Sequence, residues 1–394
     1  MKKKILLCVS VLLIFTGLIG GQTVAYAEEN DDAEEIISSL NEEISKITDG
    51  IDVSELEKYT SELSGILNGQ SIKDLIYKFV TGESAFEYSA ISDYVLSLFT
   101  TEIKTRLPVF VSLFSLLLIC SLLGTLAPEK SSGVGDIINF IGYAAIVSTV
   151  TVLCYTLVTS ALTSVEKVTS VVQSSFPILL ALMTATGATA QTALYSPTML
   201  FIDGFTTTFI KNFTFPCVTT MLVLSVVSNL TKTVKLKGII DFLSGILKWG
   251  IGLASAIFSL FLTVKGISGG LADGITVRTL KYALNSSVPL VGGILSGGTD
   301  VVLAAVTLVK SALGLTTLVL VFGVVLLPVI RIAALTLALR LVNAVCQPFS
   351  GDRVYGFISS AVSALNHSLA GLLLSVMMYV VTIIMIILSA QAVV

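Results

Sequence analysis

The sequence predicts an all-α, polytopic helical membrane protein with an internal repeat, preceded by a small exported helical domain. Three observations carry that prediction. Of 394 residues, 54% are apolar and only 12% charged, with a mean hydropathy of +0.94, whereas soluble domains run at roughly 45–50% apolar and 25% charged. From Leu107 onward the apolar residues gather in runs long enough to span a bilayer. Within those runs one pattern is written twice: Ser174-Ser175-Phe176-Pro177 opens the stretch ILLALMTATGATA, and Ser286-Ser287-Val288-Pro289 opens LVGGILSGGTD. The offset of 112 residues recurs at Pro216 and Pro328, and the run from Gly238 aligns with the run from Gly356 at an offset of 118. One loop insertion of six residues accounts for the slip.

The first 27 residues read as a cleavable signal peptide. Lys2, Lys3 and Lys4 form a basic start, Ile5 to Gly20 an apolar centre, and Ala25-Tyr26-Ala27 a small-x-small site, with cleavage expected between Ala27 and Glu28. Residues 28–106 then lie outside the cytoplasm. Eighteen of the 26 acidic residues fall there, against six basic ones, so the charge boundary is also a domain boundary. Leu40, Ile44 and Ile47 follow helical spacing, as do Val53, Leu56 and Leu63 after Asp49-Gly50. Ser54-x-x-Glu57 and Ser71-x-x-Asp74 read as helix starts, the first a capping box and the second a looser relative of it. These short amphipathic helices have narrow apolar stripes and would bury little core alone, so they are expected to dock on the membrane part, on each other, or on a partner. Cys120, Cys154, Cys217 and Cys346 all lie in apolar stretches and the exported part has none, which leaves no disulfide framework.

Residues 107–163 read as a helical transmembrane pair, followed by membrane repeat one at 173–265 and membrane repeat two at 285–390. The small residues after each Ser-Ser-x-Pro fit a re-entrant segment lining a cavity or an ordinary span packed closely on a neighbour. Lys232, Lys235 and Lys237 load the polar loop of the first copy, and Arg340 and Arg353 flank that of the second. Both loops then look cytoplasmic, which favours parallel repeats over inverted ones.

Motifs for chemistry are almost absent. A single histidine, His367, excludes a multi-histidine metal site, and there is no nucleotide-phosphate loop or zinc-protease signature. Neither an enzyme activity nor a cofactor, metal or nucleic-acid partner is predicted. Gly266-Ile267-Ser268-Gly269, with His367 as a base, would be the nucleophile of an intramembrane protease, but Ser268 stands in a charged, Gly-rich loop. Ionisable residues near apolar runs are more telling, because each is costly inside a bilayer; these are Asp203, Lys211, Asp241, Lys248, Asp300, Lys310, Arg331 and Arg340. None recurs at either offset. Candidate pathway residues are therefore the prolines and small residues Pro177, Gly187, Pro289, Gly292 and Gly293, together with Asp203 and Asp241.

The layout and the blocks QSSFPILLALMTATGATAQ, NSSVPLVGGILSGG and LALRLVNAVCQP resemble the stage III sporulation protein AE family of endospore-forming bacteria, across essentially the whole chain. The resemblance implies a multi-pass protein of the mother-cell membrane around the forespore. It further implies a permease-like role in a transenvelope channel needed for sporulation, with a separate ATPase and ring-forming membrane proteins as partners. The alternative is an autonomous secondary transporter with a pathway at the repeat interface.

Overall fold

A computed structural model describes residues 31–63, 69–82, 88–126, 132–186, 189–230, 236–268, 298–346 and 352–389, and the regular elements among them are all helices. The signal peptide with Ala27 and Glu28, and the candidates Gly187, Pro289, Gly292 and Gly293, lie outside the described residues.

The acidic segment forms α1 (Asp31–Gly50), α2 (Ser54–Glu57), a 3₁₀ turn (Thr60–Leu63) and α3 (Ile72–Thr81). Helix α3 starts as its sequence dictates: Ser71 Oγ accepts from the Asp74 N–H at 3.1 Å, and the Asp74 carboxylate accepts from the Ser71 N–H at 3.0 Å. It stops at Gly82, whose φ of 73° suits a residue without Cβ. The start of α2 differs from expectation. Val53, not Ser54, holds the cap position and makes no side-chain cap bond, while the Asp52 carboxylate ahead of it accepts from both the N–H and the hydroxyl of Ser54. An Asp two residues upstream reaches those donors without distorting the turn.

Ile44, Val53, Leu56, Ile72, Leu75 and Ile76 are each 3% exposed or less. They are buried because α1, the 3₁₀ turn and α3 pack on the long helix α9 (Gly298–Cys346), and α2 packs on α5 (Ser132–Ala185). Of the docking modes open to narrow apolar stripes, the fold uses the membrane part of the same chain. Complete burial of such a side chain contributes roughly 1.5–3 kcal/mol.

The remaining elements are α4 (Tyr88–Leu126), α6 (Thr189–Phe205), a π-helical segment (Thr206–Thr214), α7 (Phe215–Leu230), α8 (Lys237–Ser268) and α10 (Asp352–Ser389). Among the described residues, five stretches are long and apolar enough to cross a membrane: 140–185, 195–228, 237–261, 301–344 and 354–388. The core sits where α5, α9 and α10 meet, with α4 against α5 and α9, and α7 and α8 against α10.

Direction follows from the contacts. Tyr143 meets Phe357 edge-on at 6.4 Å and Thr169 meets Tyr379, so α5 and α10 run the same way. Lys310 and Gly314 lie against Ile386 and Ile387, so α9 runs opposite to α10. Phe201 stacks on Phe261 and Phe209 faces Gly250, so α6 through α7 opposes α8, which in turn runs with α10.

Two prolines behave differently from a simple reading. Pro177 starts no separate helix: α5 passes through it and continues to Ala185. A proline in a helix interior removes one hydrogen bond, at a cost of about 3 kcal/mol; here Val172, Leu179 and Met183, all 1% exposed or less, hold the helix on both sides. Pro216 follows the π segment. Its ring crowds the carbonyl four residues back, and the widened turn accommodates it: the Phe215 N–H reaches the Ile210 carbonyl, five residues back. Phe201, Phe205, Phe209 and Phe213 stack successively along this segment, at 6.4, 5.2 and 5.6 Å between ring centroids.

Candidate functional site

The polar groups of the bundle concentrate on α5. At about 100° per residue, Thr156, Ser160, Thr163, Lys167, Ser170 and Ser174 fall on one line. Thr156 and Thr163 are exposed and the other four half-buried. The opposite line, Cys154, Val158, Ala161, Val165, Val168 and Val172, is buried in the core. From Thr156 to Ser174 the polar face extends about 27 Å, close to the roughly 30 Å of a hydrocarbon core.

Part of this face forms one wall of a cavity of about 420 Å³, whose other wall is Val324, Leu327, Pro328 and Arg331 of α9. Thr156, Thr159 and Ser164 donate their hydroxyls to carbonyls one turn back, at 2.9–3.0 Å. This leaves their lone pairs toward the cavity. Pro328 cannot donate to the carbonyl of Val324, which frees a further acceptor at the apolar wall. The cavity walls carry two cations, Lys167 and Arg331, and no carboxylate.

Arg331 is anchored from the side. Its Nε donates to Glu102 of α4 at 2.7 Å, and Arg106 Nε stands 3.7 Å from the other oxygen of the same carboxylate. Glu102 is 7% exposed, so the two arginines offset the desolvation of its charge.

Further along α5, Gln173 donates to Asp203 of α6 at 3.0 Å, and Tyr379 of α10 donates to the same carboxylate at 2.7 Å while lying 3.2 Å from the Thr169 hydroxyl. Glu166 pairs with Lys211 of the π segment at 3.1 Å. Asp203 thus joins α5, α6 and α10. Lys310, fully buried, donates to the Ile386 and Ile387 carbonyls at 3.4 and 3.2 Å, where the last turns of α10 have orphan acceptors.

Of the candidate pathway residues read from sequence, Asp203 lies in this network and Pro177 is exposed at the far end of α5. Asp241 and Lys248 share a face as their spacing predicts, but that face is the exposed one of α8, which packs on α7 and α10. Ser268 and His367 do not meet. The His367 Nδ1 is 2.6 Å from the Ser363 carbonyl and Nε2 is 3.5 Å from Ser244 Oγ; Ser268 lies 24 residues beyond Ser244 on α8, about 36 Å away. The intramembrane-protease reading fails on that distance. Sequence reasoning passed over Glu102, Thr169, Gln173 and Tyr379, whose partners are distant in the chain, and the hydroxyl face of α5, which was legible as TSALTSVEKVTSVVQSS at a helical period.

A helical bundle with five membrane-length apolar stretches and a polar face of bilayer length on its central helix is a polytopic membrane protein. Residues 70–390 match the family model of stage III sporulation protein AE, and the chain belongs to that family. It is 24% identical over 384 residues to the stage III sporulation protein AE of Bacillus subtilis (strain 168), covering 96% of each chain. No solved structure matches it.

Proposed function

We propose that this protein is the membrane-embedded, permease-like component of a multiprotein transenvelope channel between mother cell and forespore, required for sporulation, and that it contributes a passage wall and no catalysis. The observation that carries this reading is the polar face of α5. A line of hydroxyls and one lysine over bilayer length, half-open in the monomer, suits a wall that water or a passing solute touches. The internal duplication supports it. Residues 189–230, shifted by 112, fall within α9, and α8, shifted by 118, coincides with most of α10; the two helix pairs also run in the same sense, as parallel repeats do. In this reading the mature chain sits in the mother-cell membrane around the forespore, with residues 28–106 extracytoplasmic after removal of the signal peptide. An ATPase and ring-forming membrane proteins of the same assembly supply energy and the rest of the conduit.

Single cysteines at Thr156, Ser160, Thr163, Ser170 and Ser174, in a chain freed of native cysteines, test the reading in sporulating cells. A membrane-impermeant thiol reagent is expected to label all five positions, to spare Val158 and Val165, and to block sporulation when it does so. Labelling restricted to one end of α5, with sporulation unaffected by modification at the middle positions, would remove the passage.

A further inference from the structure

The cavity between α5 and α9 has a chemistry that the passage does not require. Arg331 gives its Nε to Glu102, yet its terminal amines have no acceptor among the described residues, and the guanidinium lines the cavity. A guanidinium fixed on one side and open on the other presents a bidentate donor edge, the geometry that suits oxyanions. Ser160 and Thr163, on the facing wall, donate to no carbonyl among the described residues, so their hydroxyls remain available as donors. Lys167 adds a second cation to the same walls. At about 420 Å³ the cavity falls within the range of small-molecule sites, and Tyr155, 55% exposed, stands at its open side.

We propose that this cavity binds a phosphate group, held by the Arg331 guanidinium with donors from Ser160 and Thr163. Phosphate fits better than carboxylate because guanidinium and hydroxyl donors stand on opposite walls of the cavity, and a tetrahedral oxyanion offers acceptors to both. Val324, Leu327 and Pro328 give the remaining wall an apolar surface, so a phosphate attached to an apolar body and free phosphate are both admissible sources. The protein already holds a competitor. Glu102 draws on the Arg331 charge from behind, and removing its charge leaves Arg331 more available to a ligand without disturbing the cavity walls.

The test uses the full chain purified in detergent, titrated calorimetrically with two probes, short-chain phosphatidylglycerol and inorganic phosphate. Saturable binding of the lipid is expected, weakened at least about tenfold in Arg331→Gln and in the Ser160→Ala/Thr163→Val double variant, as loss of charge-assisted hydrogen bonds requires. Glu102→Gln is expected to bind tighter than wild type, a direction that structural damage does not produce. Binding of the lipid alone assigns a headgroup as the source. Binding of inorganic phosphate with the same variant pattern assigns a soluble phosphate. Binding of neither probe, or affinities unchanged across all three variants, overturns the proposal. Should Arg331→Gln fail to fold, unchanged affinity in both other variants overturns it equally.

Discussion

Tyr379 donates a 2.7 Å hydrogen bond to Asp203 across 176 residues of sequence, and in doing so joins the last helix of the bundle to the residue just before the π segment. Asp203 also accepts from Gln173 on α5. One carboxylate therefore fixes three helices at one level, and the polar face of α5 ends beside it.

That junction has a measurable coupling. Tyr379→Phe is expected to lower stability by about 1–3 kcal/mol, because a buried hydrogen bond to a carboxylate is lost and its acceptor loses one of two donors. In a double-mutant cycle, Asp203→Asn added to Tyr379→Phe costs less than the sum of the single changes. Thermal unfolding of the purified variants in detergent measures both quantities, and additive losses would mean that the bond carries no energy.

Helix α9 approaches α10 too closely for a side chain at Gly314. A Cβ there would meet Ile387 Cγ1 at 2.5 Å and Cδ1 at 2.6 Å, and β-branching leaves Ile387 few rotamers to escape into. Gly314→Ala is expected to destabilise by about 1–3 kcal/mol. Gly252 is the internal control: nothing lies within 4 Å of its would-be Cβ on α8, so Gly252→Ala gains up to about 1 kcal/mol of helix propensity. Melting temperatures moving in opposite directions are the expected readout.

The cap of α3 makes docking of the acidic segment sensitive to acid. Hydrogen bonds from the Ser71 N–H and then its hydroxyl hold the Asp74 carboxyl below the usual carboxylate range. A depressed folded-state value means that the stabilisation is complete above the unfolded carboxylate value, about 3.9, and is lost as pH falls through the lower folded value. Hydrogen exchange in α3 is expected to accelerate over that window. Ser71→Ala, costing about 0.5–2 kcal/mol at any higher pH, should flatten the acid dependence.

Glu102 and Arg331 tie α4 to α9 across 229 residues. Glu102→Ala leaves two arginines facing each other where one carboxylate served both, and breaking a buried pair from one side costs about 3–5 kcal/mol at full burial; Arg331 is 39% exposed, so a loss at or below the lower end is expected. Double replacement of Glu102 and Arg331 by Gln and Met should recover part of it. Unfolding of the two variants in detergent distinguishes a structural pair from a surface contact.

Much of the architecture was legible because its causes are local. The Ser71–Asp74 capping box depends on four residues and formed, and the burial of Ile44, Val53 and Leu56 follows from helical spacing. The start of α2 was misread because the Asp52 carboxylate engages the N–H and hydroxyl of Ser54, which leaves Ser54 inside the helix and Val53 at the cap position. No helix boundary falls at Pro177 because the cost of a helix proline is a few kcal/mol, which packing of Val172, Leu179 and Met183 offsets. In the candidate site Asp203 was named from its charge alone, while Gln173 and Tyr379 carry no mark in the sequence until the fold sets them beside it.

By itself, then, the sequence determined the membrane class, the family, the acidic helical segment and the duplicated pattern, because hydropathy and periodicity add up over neighbouring residues. The tertiary structure decided that the acidic helices dock on α9, that one carboxylate serves Gln173 and Tyr379, and that the hydroxyls of α5 face a cavity beside Arg331. Those relations depend on which faces of long helices meet. Helices of this length can slide and rotate against each other without changing any local propensity, so contacts such as Gly314 on Ile387, Tyr379 on Asp203 and Glu102 on Arg331 set the register.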